Sequence, residues 1–252
     1  MKEKIKKKID KREKEFQERV KKLNELSRKN PRPLIQWLAD AEQIFEDEKD
    51  YLEVVNLVKR HKQKIFNKLL KDRKSFDDYK FITEEFKTNN VRNNSEFQKV
   101  YKRFYVLNRG GLGSKLIDRY FDLLQKKETN LKKILVELSE ISREKSDYSV
   151  QLSFASKLIH TVDNNQPIYD SRVAEIFDIR LNYNIKDIKE RIADRLVAYN
   201  LLKKKFNKTL KNRGIKLIIK DFKKRLKVDI GDVKMLDFML WKLGGIIIEQ
   251  KR

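Results

Sequence analysis

The sequence predicts an all-α protein, and three observations support this fold class. Apolar residues recur three and four positions apart through most of the chain, which is the spacing that places them on one face of a helix. Polar breakers separate these segments, and several segments begin with residues that cap helices. The first half of the chain contains no β-hairpin signal.

The first predicted element is a basic amphipathic helix at the N-terminus. "NPRP" at 30 to 33 ends this helix, because proline lacks an amide donor and disfavours the helical conformation of the residue before it. We therefore divide the chain into an N-terminal arm, 1–33, and a main all-α domain, 34–252. The arm is either a helix that binds phosphates or a partner, or a solvated helix packed on the main domain.

The main domain opens with a series of predicted antiparallel helices, "LIQWLADAEQIF", "YLEVVNLVKRHKQKIFNKLL" and "SFDDYKFITEEF". Asn94 or Ser95 is expected to cap the helix that follows, "FQKVYKRFYVLNR".

A glycine-rich stretch, "RGGLGS" at 109 to 114, leads into the helical segment "KLIDRYFDLL", with Ser114 as the expected N-cap. Glycines beside a helix N-terminus can hold a phosphate, but the spacing is not that of a P-loop. We expect a turn between helices. Arg109 and Lys115, on either side of it, are candidates to contact a DNA backbone.

Three further helices are predicted from residue 129 onwards. Thr129 or Asn130 caps "TNLKKILVELSEISREK", and "SDYS" separates that helix from "VQLSFASKLIHTV". "DNNQPIYDS" then leads to the short helix "RVAEIFDI", capped by Asp170 or Ser171.

The C-terminal part of the main domain is predicted to contain a long basic helix from about Ile185 and a final apolar helix. The tail of the basic helix, 203 to 227, is the strongest electropositive feature of the sequence. The final helix, "DVKMLDFMLWKLGG", is expected to bury its apolar residues, Trp241 included, and to end at Gly244. The side chains of the basic helix expected to bind DNA are Lys204, Lys208, Lys211 and Arg213.

The charge of the chain indicates a polyanionic partner. Lys and Arg number 61 against 38 Asp and Glu, a formal net charge of +23. This excess exceeds what solubility requires, and nucleic acid is the first partner to consider. An AT-rich coding bias is an alternative source of part of this excess, since Lys, Asn and Ile are all plentiful.

Composition also excludes several kinds of site. The chain has no cysteine, so disulfides, thiolate metal sites and cysteine nucleophiles are excluded. His61 and His160 lie far apart in sequence, and we expect neither a metal nor a cofactor. The longest apolar run near the C-terminus is shorter than a membrane span, which predicts a cytoplasmic protein without membrane contact.

The order helix, short turn, helix, proline loop and aspartate in a basic all-α chain resembles the helix-hairpin-helix superfamily of DNA glycosylases. "SDYS" would be the hairpin, "VQLSFASKLIHTV" the second helix, and Asp170 of "PIYD" the aspartate that follows the second helix in that family. The likeness covers about 129 to 180. "FYVLNRGGL", "SFASKLIHTVDNNQPIYDSRV" and "KMLDFMLWKLGG" are also similar to a branch found in prokaryotic antiviral defence, which removes modified phage bases.

The resemblance implies that Asp170 is catalytic. Breaking an N-glycosidic bond develops positive charge on the sugar, and a nearby carboxylate stabilises that charge and orients the attacking water. Arg172 would pair with a phosphate of double-stranded DNA. The candidates to stack on the flipped base are Tyr148, Phe154 and Tyr169.

The chain departs from the family pattern at two points. "KSDYS" lacks the hairpin glycines, so Lys145, Ser146 and Ser149 would contact the backbone instead. Bifunctional members carry a lysine nucleophile about where this chain has Gln151, which implies base removal without strand cleavage. Lys157 lies two turns further along the helix and is a poor substitute.

Each site residue also has a purely structural interpretation. Asp170 can be a simple N-cap, Arg172 a solvated arginine, Tyr169 a half-buried aromatic and His160 a core histidine. Two other functions therefore stay open: a non-catalytic nucleic-acid-binding protein on a glycosylase-like scaffold, and a helical interaction protein that uses its N-terminal arm.

Overall fold

The computed structural model describes residues 49–88, 90–107, 113–141 and 150–251. Every regular element among them is an α-helix, which confirms the predicted all-α class. These residues belong to one compact unit, Glu48–Arg252. The N-terminal arm and its predicted boundary at residue 33 lie outside the described residues.

Eleven helices are described, numbered here in chain order. The first six are α1 (Lys49–Arg60), α2 (Lys62–Leu70), α3 (Arg73–Thr88), α4 (Ser95–Phe104), α5 (Ser114–Gln125) and α6 (Leu131–Ser139). The other five are α7 (Leu152–Val162), α8 (Ser171–Ile176), α9 (Ile188–Lys211), α10 (Arg213–Leu226) and α11 (Asp232–Lys251).

The C-terminal helix α11 is the centre of the main hydrophobic core. It packs against α1, α2, α8, α9 and α10. Met235, Leu236, Met239, Leu240 and Leu243 of α11 are fully buried in this core. A helix contacted on several sides needs apolar residues around most of its circumference, which its sequence supplies.

Helix α7 occupies a similar central position among α3, α5 and α6. Nearly all of its residues are buried, including Lys157 and His160. Beside α7 lies an aromatic cluster in which the Tyr101 hydroxyl is 2.9 Å from that of Tyr120 and 3.0 Å from Oγ1 of Thr161. This network leaves those hydroxyl groups hydrogen-bonded in a buried site, as their burial requires.

Side-chain caps fix several helix ends as the sequence predicts. Asn94 accepts from the Phe97 amide at 2.9 Å, and Asn130 accepts from the Lys133 amide at 3.1 Å. Asp170 caps α8. A short polar side chain before each helix satisfies a backbone donor that the helix itself cannot satisfy.

Two segments expected to be single helices are divided in the structure. The predicted basic helix through residue 227 is wrong, because Asn212 ends α9 and its side chain accepts from the Gly214 and Ile215 amides at the start of α10. The segment from 51 to 70 is likewise divided at His61, between α1 and α2.

Three details of the predicted helices need correction. Gly113, not Ser114, occupies the N-cap position of α5. Gly244 lies inside α11 and does not end it. Trp241 is 38% exposed and is therefore not a core residue. Among the described helices, none combines the length and apolar character needed to cross a bilayer.

Candidate active site

Asp170 sits at the junction of a proline loop and α8, and the protein holds this junction from two sides. Its Oδ1 accepts a hydrogen bond from the Arg172 amide at 2.9 Å. The preceding amide, that of Tyr169, donates to Oγ of Ser156 on α7 at 2.9 Å. The Tyr199 hydroxyl of α9 donates to the Pro167 carbonyl at 2.9 Å. These bonds fix the position of a half-buried carboxyl group.

Opposing effects set the charge of Asp170. Burial raises the pKa of its carboxyl group most strongly, and the negative charge of Asp237 raises it further. The Arg172 amide and the positive charges of Lys157 and Arg172 lower this pKa. The net effect is a pKa of Asp170 above its ordinary value, since burial outweighs the groups that favour the anion. A poorly solvated carboxylate with cations nearby can stabilise positive charge on a substrate.

Lys157 is a buried lysine on α7, close to this carboxyl group. Its Nζ donates to the Tyr105 carbonyl at 3.0 Å and lies 5.2 Å from the centre of the Phe154 ring. Burial lowers the pKa of Lys157 to about 8, although Asp170 and Asp237 act in the opposite direction. The lysine is therefore largely protonated at neutral pH and loses its proton in mildly alkaline solution.

A buried ion pair on α11 completes the charged cluster. Nζ of Lys234 lies 2.8 Å from Oδ2 of Asp237. The ammonium group also lies 4.7 Å to 5.6 Å from the centres of four aromatic rings, those of Tyr79, Phe104, Tyr105 and Phe238. Two cations and two carboxylates, Lys157, Lys234, Asp170 and Asp237, hereafter the charged cluster, thus influence one another in a mostly buried region.

His160 lies on α7 and is fully buried, as a core histidine. Its Nε2 is 3.1 Å from the Tyr79 hydroxyl, and its Nδ1 is 2.7 Å from the Gln166 carbonyl. Burial, followed by the charge of Lys234, lowers the pKa of His160 to about 3. The ring is neutral at physiological pH and holds the proline loop in place.

The residues expected to form a base pocket are buried. The exposed fractions are 6% for Tyr169 and 7% for Phe154. Gln151, the other candidate for the catalytic set beside Asp170, is 8% exposed and occupies the N-cap position of α7. Tyr148 lies outside the described residues. Stacking of a base on Tyr169 or Phe154 therefore requires those rings to move out of the core, and their role stays a prediction.

The residues expected to contact DNA are only partly described. Lys115 is exposed on α5 and Arg172 is exposed on α8. Lys204 and Lys208 are half-buried, whereas Lys211 and Arg213 are exposed. The expected contacts that lie outside the described residues are Arg109, Lys145, Ser146 and Ser149.

Because one helix ends and the next begins at Asn212, the basic residues of this region lie on two helices, α9 and α10. Lys205 is buried and donates to the Phe177 carbonyl at 2.9 Å. The exposed face of α10 carries cations three and four residues apart, opposite a face of buried isoleucine, phenylalanine and leucine. This basic stripe consists of Arg213, Lys216, Lys220 and Lys224 of α10, with Lys227 at the C-cap of that helix. It extends over about 21 Å at the helical rise per residue.

The sequence gives Lys157 no role and places Trp241 in the core, and it does not indicate the Lys234–Asp237 pair. The one available signal was the placement of lysine and aspartate within strongly apolar segments, "SFASKLIHTV" and "DVKMLDFMLWKL". A charged residue in such a segment is either on a narrow exposed face or buried with a partner.

The described residues include no group of three or more His, Asp or Glu side chains placed to hold a metal ion. No protein-family model matches this chain, and comparisons with curated proteins and with solved structures find no match either. The chemistry of the chain's own residues therefore carries the functional argument.

Proposed function

We propose that this protein is a monofunctional DNA glycosylase that removes a modified base from double-stranded DNA, with Asp170 as its catalytic carboxylate. One observation carries the proposal. Asp170 is half-buried and held by a backbone hydrogen bond, and it lies within the influence of the buried Lys157 and the exposed Arg172. An accessible carboxylate in poorly hydrated surroundings interacts more strongly with a cationic transition state than a fully solvated one does.

The proposed reaction is hydrolysis of the N-glycosidic bond. The bond between the sugar and the base breaks, its electron pair leaves with the base, and positive charge develops on the sugar. The Asp170 carboxylate stabilises that charge and orients a water molecule, whose oxygen bonds to the sugar carbon. One proton of the water passes to the departing base or to solvent.

Hydrolysis is favoured over lyase chemistry by the residues around the second helix of the proposed hairpin. Gln151 has no amine with which to attack the sugar. Lys157 does have an amine, but its Nζ is directed to the Tyr105 carbonyl and is mostly protonated at neutral pH. A protonated amine cannot act as a nucleophile, so water is the better-supported nucleophile.

The basic stripe of α10 supports a DNA partner. Its five cations form no ion pair with the described part of the chain, so they are available to a polyanion. Rows of lysine and arginine bind phosphates without regard to sequence. A modified phage base as substrate is the part of the proposal that comes from the resemblance to antiviral glycosylases.

The second candidate function is a nucleic-acid-binding protein without enzymatic activity. The burial of Tyr169 and Phe154 favours it, since neither ring is open to an everted base. The basic stripe would serve such a protein equally well.

Incubation of the protein with phage DNAs that carry different modified bases separates the two functions. We expect one DNA to release free base and accumulate abasic sites without strand cleavage. Binding of every DNA without release of any base contradicts the enzymatic proposal and supports the binding protein. Absence of DNA binding at low salt contradicts both.

A further inference from the structure

Trp241 is an exposed aromatic residue on a helix whose neighbouring apolar side chains are buried. Its exposed fraction is 38%, whereas Leu240 and Leu243 are fully buried. Two cations flank the indole: the guanidinium carbon of Arg172 lies 4.8 Å from the ring centre, and Nζ of Lys242 lies 4.6 Å from it. Lys242 is paired with Asp72 and mostly covered, whereas Arg172 is exposed.

The Trp241 ring contacts Arg172, two residues after Asp170, where α8 packs on α11. Trp241 lies one turn after Asp237 on α11, and the charge of Asp237 acts on Asp170. At Gly244, a Cβ atom would lie 3.0 Å from Cβ of Arg172. The absence of a side chain there allows the start of α8 to approach α11 closely, which places Arg172 against the indole.

An exposed indole beside an exposed arginine has the chemistry of a nucleotide-binding surface. Bases stack on aromatic rings through their faces, largely regardless of their identity, and arginine binds the neighbouring phosphate. Burying the indole under a base also removes an exposed apolar surface from water. An acidic peptide would satisfy the arginine but would leave the indole without a planar partner.

We propose that Trp241 and Arg172 form a nucleotide-binding site, in which an unpaired base stacks on the indole and Arg172 exchanges its contact with the ring for one with a phosphate. The proposal takes its class of ligand, nucleic acid, from the proposed function. It adds a stacking residue in contact with Arg172 that does not require Tyr169 or Phe154 to leave the core.

Intrinsic fluorescence tests this site directly, because the chain contains only two tryptophans, Trp37 and Trp241. The W37F variant leaves Trp241 as the sole reporter. The probes are a single-stranded oligothymidylate of about ten nucleotides, within the usual site size of single-strand-binding surfaces, and an abasic oligomer of equal length and charge. Should W37F not fold, the difference in emission between the wild type and W241F gives the same signal.

We expect the oligothymidylate to quench Trp241 and the abasic oligomer to leave its emission nearly unchanged. The W241L variant should bind oligothymidylate about 5- to 150-fold more weakly, the range found for loss of one stacked base, and should bind the abasic oligomer normally. The matched control is Y183L, which removes an aromatic ring that is 77% exposed and also carries an arginine, Arg195, 5.3 Å from its centre. This control should change neither affinity.

The other outcomes overturn one proposal or both. Equal responses to the two oligomers, or an unchanged affinity in W241L, contradict the stacking site and leave base excision untouched. Failure of both oligomers to bind contradicts the stacking site, whereas absence of duplex binding at low salt removes both proposals. Base-dependent quenching with no base released from any modified DNA supports the stacking site and contradicts excision.

Discussion

The charged cluster and the basic stripe use the same residue type in opposite ways. Lys157 and Lys234 are 9% and 2% exposed, whereas the lysines of the stripe are exposed along one face of α10. A solvated lysine has little effect on the stability of a fold, but a buried one loses hydration that its partners must replace. The net charge of +23 therefore does not show which lysines matter most to the proposed chemistry.

The largest effect on stability is expected from removing one partner of the buried Lys234–Asp237 ion pair. In K234M, Asp237 stays buried without its cation, which should lower the free energy of unfolding by about 3–5 kcal/mol. The double variant K234M/D237L removes both charges and should recover most of this loss. Urea unfolding measures the free energy of unfolding of both variants. A loss below about 1 kcal/mol in K234M, or no recovery in the double variant, would show that the pair is effectively solvated.

Acid should destabilise the fold through His160. Its pKa in the folded protein is about 3, below the ordinary 6.5, so the unfolded chain binds more protons between these values. Stability is therefore complete above pH 6.5 and falls as pH drops from about 6.5 towards 3, by at most about 1.4 kcal/mol per pH unit from this residue. Urea unfolding across this range measures the slope, and an NMR titration of His160 near pH 6.5 would contradict the assignment.

A smaller effect, in which stability again rises with pH, is expected at Lys157. Its pKa is lowered from 10.5 to about 8, so the penalty of its buried charge is fully present below pH 8 and disappears as pH rises towards 10.5. K157M removes the penalty but also the hydrogen bond to the Tyr105 carbonyl. We expect the free energy of unfolding at pH 7 to rise by about 1–2 kcal/mol.

The matched control for this prediction is K220M on the basic stripe, which should change the stability by less than about 0.5 kcal/mol. The same K157M variant should have a higher pKa at Asp170, because the cation that favours its anion is gone. If K157M is less stable than the wild type, the lysine is structural and the contrast with the stripe is lost.

The smallest expected effects are those of single exposed lysines. K220A and K224A should each weaken DNA binding a few-fold at moderate salt and reduce the slope of log affinity against log salt by about 1. K99A, which removes an exposed lysine on α4, is the control and should leave the slope unchanged. If K220A and K224A show the same slope as K99A and the wild type, the basic stripe is not a phosphate-binding surface.

Local rules predict much of the fold. The caps at Asn94, Asn130 and Asp170 and the apolar face of α10 follow from spacing and from the preferences of single residues. His160 is in the core, as its apolar neighbours indicate. The same rules fail at Asn212, because an asparagine within a strongly helical sequence does not show by itself that it ends one helix and caps the next.

The assembly of Lys157 and Asp170 with the Lys234–Asp237 pair could not be predicted, because it joins distant parts of the chain. Lys157 bonds to the carbonyl of Tyr105 and Lys205 to that of Phe177, and nothing in the flanking residues of either lysine specifies such a partner. The apolar stretch before Trp241 predicts a core position for this residue. Its exposure depends on where α8 crosses α11, and the close approach at Gly244 sets that crossing.

A single-turnover comparison of D170N and D187N tests the role of Asp170 most directly. Asp187 caps α9 by accepting from the Glu190 amide at 2.8 Å, and asparagine replaces aspartate well at such positions, so both variants should fold and keep their caps. On the modified DNA from which the wild type removes the base, D170N should form abasic sites at least about a hundredfold more slowly. Its affinity for that DNA should be unchanged. D187N should match the wild type in both. If D170N releases the base as fast as D187N does, Asp170 is only a helix cap and the account is wrong.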